Sequence, residues 1–70
     1  ADSTMTESQR RNYMHALRDF TGYAAELEAG CSPERKASLR REAVTCDALM
    51  VHSDLPKLRR LVDHVMFACQ

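Results

Sequence analysis

The side chains best suited to chemistry in this chain are three cysteines and three histidines, and their spacing speaks against using them for it. Cys31, Cys46 and Cys69 form no CxxC pair, and His15, His52 and His64 form no HxxxH pair, so the close ligand spacing of a zinc site is missing. A nucleophilic couple of Cys69 with His64 fails on geometry, because five residues along one helix turn the two side chains onto different faces. The carboxylates fall at exposed helical positions, where nothing desolvates them and tunes them for acid–base work. No glycine-rich phosphate loop is present. These patterns predict a protein that is not an enzyme and uses no metal or cofactor, with the histidines as ordinary solvated or edge residues. An odd number of cysteines also departs from the even count of a secreted disulfide framework. The expectation is three reduced thiols in a cytoplasmic protein. Cys46 and Cys69 then act as small hydrophobes on apolar helix faces, and Cys31, in a turn, is the more reactive thiol.

The elements that position these residues follow from composition and punctuation. Seventy residues with only two glycines and two prolines, rich in Ala, Leu, Arg, Glu and Met, favour an all-α domain. No strand-like alternation appears. A chain this short buries only roughly 60% of the surface it exposes when unfolded, so a partner or a second copy would add stability. Ten basic and ten acidic residues cancel, leaving no global field for nucleic acid or an anionic membrane. No apolar run reaches the length of a membrane span.

The joint Gly30-Cys31-Ser32-Pro33-Glu34 stops one helix and starts the next. Glycine reaches the positive-φ backbone that closes a helix, Ser32 accepts a hydrogen bond from a free amide of the following turn, and Pro33 sits where a missing N–H costs nothing. Two helices joined so tightly fold back on one another. Thr6 and Gln9 have capping-box spacing, so the first helix is expected over 6–29, with residues 1–5 ahead of it as a frayed or appended end. Tyr13, Leu17, Phe20, Ala24 and Leu27 recur at steps of four and three and form its seam. Met14, Thr21 and Ala25 flank the seam on one side, and Ala16 and Tyr23 on the other. Gly22 falls on the polar side.

The second helix is expected over 33–51, with Leu39, Ala43, Cys46 and Met50 as its seam and a weaker row of Ala37, Val44, Ala48 and Val51 beside it. Only one of these rows can face the hairpin. His52-Ser53-Asp54-Leu55-Pro56 breaks the pattern: Ser53 or Asp54 suits a cap, and Pro56 disfavours helical geometry before it. A third helix over 55–68 then presents Leu55, Leu58, Val62, Val65 and Cys69, supported by Leu61, Met66 and Ala68. A single second helix kinked at Pro56 is the competing arrangement, and the change of heptad phase argues against it. The resulting architecture is an antiparallel helical hairpin with a third helix across it, a small three-helix bundle.

Apolar residues remain after the core is filled. Tyr23, Val44, Val51 and Phe67 are candidates for contact with a partner, together with Met14 and Met66, for which a place in the domain's own core is the simpler reading. Phe67 is open to two readings, a frayed terminal aromatic or an anchor. Methionines and aromatics on a small helical surface suit a groove or a partner helix. The charges are unevenly spread: Asp19, Glu26 and Glu28 make the end of the first helix acidic, whereas Arg35, Lys36, Arg40, Arg41, Lys57, Arg59 and Arg60 make the later segments basic. Antiparallel packing would set these charges opposite each other. A helix-turn-helix from Val44 to Val65 is an alternative, giving a small DNA-binding or regulatory module, although Ser53-Asp54 stands in the turn where glycine is usual. Self-association without a client is a further alternative.

The run Tyr23-Ala24-Ala25-Glu26-Leu27-Glu28-Ala29-Gly30, the joint Cys31-Ser32-Pro33-Glu34, then Leu39-Arg40-Arg41-Glu42-Ala43 and Asp47-Ala48-Leu49-Met50, resembles the small co-chaperones of bacterial type III secretion needle subunits. The resemblance spans about residues 16–51. It implies a helical hairpin that binds a tetratricopeptide-like chaperone, the two together keeping a needle subunit monomeric in the cytoplasm before export. What carries over is the hairpin: Gly30 as the stop and the two seams. After Val51 the chain departs from that pattern, because the family's second helix continues where Ser53-Asp54-Leu55-Pro56 restarts this one.

Overall fold

The computed structural model describes residues 5–70, which form three α-helices: α1 over Glu7–Ala29, α2 over Pro33–Leu49 and α3 over Pro56–Ala68. Residues 1–4 of the expected N-terminal end lie outside the described residues, and Met5 is half-buried. The capping box forms as its spacing requires: the Thr6 hydroxyl accepts from the Gln9 amide at 3.0 Å, and the Gln9 side chain accepts from the Thr6 amide at 2.9 Å. Gly30 closes α1 with φ 101°, a backbone that side-chain-bearing residues rarely adopt, and its N–H reaches the carbonyls of Glu26 and Leu27. Two residues later the Ser32 hydroxyl accepts from the Arg35 amide at 3.1 Å and opens α2.

Two boundaries differ from expectation. α2 ends at Leu49 rather than Val51, because the Met50 N–H closes the last turn onto Cys46 and Asp47, and the Ser53 N–H then bonds to the Met50 carbonyl. Val51 therefore stands in a turn. α3 begins without the expected Ser53 or Asp54 cap: Leu55 holds the cap position, makes no side-chain bond there, and Pro56 fills the first helical turn. The proline itself lowers the number of amides needing a partner, so a side-chain cap has less to contribute.

The chain runs up α1, down α2 and up α3. The antiparallel course of α2 and α3 is fixed at one end by Arg59 against Asp47 and at the other by Cys69 beside Pro33 and Arg40. Both α1 and α2 lie closer to α3 than to each other, so the last helix is the wedge that unites the hairpin. The outcome is a rod of 41 × 18 × 17 Å. Its long dimension follows from α1, since 23 residues rise roughly 35 Å.

The core is one cluster: Phe20 from α1, Leu39, Ala43 and Met50 from α2 and its cap, and Leu58, Val62, Val65 and Cys69 from α3. Leu39, Ala43, Val62 and Val65 are wholly shielded from water. The expected seams therefore meet, with unequal depth. In α1 only Phe20 is buried, while Tyr13, Leu17, Ala24 and Leu27 are half-buried, because a single helix on the outside of a pair loses water from one narrow stripe only. Cys46 is likewise half-buried.

Candidate interaction surface

The second row of α2 is left outside. Ala37, Val44 and Ala48 are exposed, because the Leu39–Met50 seam has taken the inner face and the two rows lie on opposite sides of α2, and Val51 is exposed in the turn that follows. The large apolar side chains that remain in water are Met14 at 57% exposure, Val44 at 49%, Leu49 at 80%, Val51 at 67% and Phe67 at 71%. Isolated exposed apolar residues are ordinary on any surface, but five on so small a chain is a heavy load.

Each expected contact residue can now be placed. Val44, Val51 and Phe67 are exposed as expected for a partner surface. Tyr23 is half-buried: its ring meets Phe20 edge-on, with centroids 5.1 Å apart and planes at 75°, and it packs against the core. Met66 also packs against the core, in line with its simpler reading, whereas Met14 does not and lies among Arg10, Arg11 and Arg18 on the outside of α1. Thr21, beside Met14, turns its hydroxyl back to the Leu17 carbonyl at 2.7 Å. Leu49 escaped the sequence reading because it belongs to neither apolar row of α2. It stands at the rim of an open groove near Tyr13, Ala16, Cys46 and Met50, where α1 and α2 part.

Two ion-pair clasps hold this surface in shape. Glu26 and Arg35 join the end of α1 to the start of α2 through a forked pair, Nε to Oε2 at 2.6 Å and Nη2 to Oε1 at 3.1 Å. Arg35 hydrogen bonding holds the Glu26 carboxyl below the usual carboxylate range, and the same bond raises the Arg35 pKa. Arg59 donates to Asp47 across the α2–α3 interface and to Asp63 at 3.0 Å along its own helix. The acidic end of α1 and the basic start of α2 thus do pair, in the person of these two residues. Among the described residues, Lys36, Arg40 and Arg41 have no carboxylate within ion-pair distance.

The thiols occupy different surroundings. Burial pushes the Cys46 and Cys69 thiols up, and for Cys69 the neighbouring Cys31 adds to the rise while Lys36 and Arg40 oppose it. All three cysteines are free. Among the described residues no three His, Cys, Asp or Glu side chains come together as a metal would require, and no helix is long and apolar enough to cross a membrane. The assembled site is therefore a surface of apolar side chains and paired charges on rigid helices, which defines a small all-α three-helix bundle with a loaded exterior. No family model, curated protein or solved structure matches the chain.

Proposed function

We propose that this chain is a non-catalytic interaction module that presents apolar helix surface to another helical protein. The observation that carries the reading is the outward placement of Val44, Leu49, Val51 and Phe67 on a chain whose buried cluster is already complete without them. Helices offered in this way recognise partner helices by laying apolar anchors at steps of three and four into a groove. The resemblance of residues 16–51 to type III secretion needle co-chaperones supplies the biological form of the proposal: a cytoplasmic bacterial escort that works with a tetratricopeptide-like chaperone to keep a needle subunit soluble before export. In that role the hairpin is the scaffold, and the exposed residues are the working surface.

The test is co-expression of the chain with a needle subunit and its tetratricopeptide-like chaperone, followed by size-exclusion chromatography with light scattering. A stable ternary complex, weakened by Val44→Asp or Phe67→Asp with helicity unchanged, supports the escort. A chain that stays monomeric and leaves the subunit to aggregate refutes it. A concentration-dependent dimer of the chain alone points instead to self-association.

A further inference from the structure

Resting on the interaction-module reading, we infer that the outer face shared by α2 and α3 docks an amphipathic partner helix whose apolar stripe is flanked by carboxylates. Two placements define the face. Val44 lies between Arg40, one turn before it, and Asp47, one turn after it, and both of these neighbours turn toward α3. Phe67 follows Asp63 by one turn and precedes Gln70 by three residues; Asp63 shares Arg59 with Asp47 of α2, and Gln70 lies beside Arg40 and Arg41. Residues three and four apart share a helix face, so Val44 and Phe67 look out on the same side of the bundle. Ala48 and Ala37 continue the α2 stripe in both directions, and their small side chains allow close approach of another backbone.

The charge on this face selects the occupant. Asp47 and Asp63, the acids nearest the seam of the two helices, are both held by Arg59, and Glu34 is the remaining acid of the face, in the first turn of α2, whereas Lys36, Arg40 and Arg41 line a hollow beside Cys69 and Gln70 with no carboxylate within ion-pair distance among the described residues. The face is locally positive on a chain of zero net charge. Carboxylates flanking an incoming apolar stripe complete these cations and steer the encounter. A second copy of the same face is the poorer match, because it sets Lys36, Arg40 and Arg41 against the same three cations with only Glu34 outside the Arg59 pairs.

The probe is a synthetic amphipathic helix with leucine at the a and d positions and glutamate beside them, compared with the same peptide carrying lysine. Titration into the isotope-labelled full chain is followed by amide shifts. The inference expects shifts at Val44, Ala48 and Phe67, and about tenfold weaker binding of the glutamate peptide to the Arg40→Glu, Arg41→Glu double variant. Val44→Ser weakens both peptides with circular dichroism unchanged. Equal affinity for the two peptides overturns the inference, as do shifts confined to α1 or to the rim around Leu49; in those cases the interaction-module reading stands. Binding to phosphatidylglycerol vesicles in place of either peptide also overturns it. A folded monomer that binds neither peptide, in a chain that also fails the ternary-complex test, removes both.

Discussion

The Arg35 guanidinium carbon stands 5.8 Å from the centroid of the Tyr23 ring while the same side chain grips Glu26 with two hydrogen bonds. Tyr23 and Glu26 before the Gly30 joint and Arg35 after it are thereby tied together, with Phe20 edge-on to the tyrosine. The contact links the joint between α1 and α2 to the Phe20–Tyr23 pair.

That tie is expected to be acid-sensitive. Glu26 titrates lower in the folded chain than in the unfolded one, so its stabilising contribution is complete above the ordinary carboxylate range and is lost as pH falls through its depressed folded pKa. Urea midpoints measured from about pH 7 to about pH 3 should fall for the parent chain, and Glu26→Gln should flatten part of that fall. An unchanged profile in the variant would show that the pair contributes nothing, as many exposed pairs do. Arg35→Lys should act almost as severely as Arg35→Ala, since lysine cannot reproduce the fork.

The two glycines should respond to alanine in opposite directions. Gly22 is inside α1, and a methyl group added there meets nothing within 4 Å, so Gly22→Ala is expected to raise stability by about 0.5–1 kcal/mol through helix propensity and a less flexible unfolded chain. At Gly30 the space is equally open, but φ 101° strains any side chain, and Gly30→Ala should destabilise by ~1 kcal/mol or more. Thermal melts of the pair check both signs.

Core and exterior should separate in the same assay. Leu39→Ala removes a fully shielded side chain from the core cluster to which all three helices contribute and is expected to cost about 2–5 kcal/mol. Phe67→Ser removes a larger side chain yet should change folding stability by no more than about 0.5 kcal/mol. A melt in which Phe67→Ser costs as much as Leu39→Ala would put Phe67 inside the fold.

Thiol labelling at neutral pH should proceed in order of access. Cys31 is partly exposed in the joint, Cys46 is half-buried with its thiol pushed up, and Cys69 is buried with its thiol pushed up. The thiolate is the reacting species, so iodoacetamide should modify Cys31 first and Cys69 last. Mass spectrometry of timed samples reads the order, and rapid modification of Cys69 would mean that α3 opens freely from the bundle.

Much of this arrangement was legible in the chain because it depends on local chemistry. Thr6 with Gln9, the Gly30 stop, the Ser32-Pro33 start and the four-three rhythm of Leu39, Ala43, Cys46 and Met50 each specify a cap, a turn or a face within a few residues. The Ser53 or Asp54 cap does not form because Leu55, packed against the core, holds the cap position with Pro56 after it, a tertiary placement that overrides the local preference for Ser or Asp. Leu49 gives no periodic signal, because it lies outside both apolar rows of α2, whatever its final exposure.

The sequence by itself determined three helices, their joints and the stripe that each buries, since hydrogen bonding along the backbone and helical spacing act within one element. Only the tertiary structure decided that α3 is the wedge between the other two, that Tyr23 and Met66 are drawn toward the core while Met14 is left outside, and that Arg59 engages Asp47 and Asp63 together. Those outcomes depend on which helix sits beside which, and at what distance. No spacing within a single helix encodes that, because burial and ion pairing are properties of neighbours brought together by the fold.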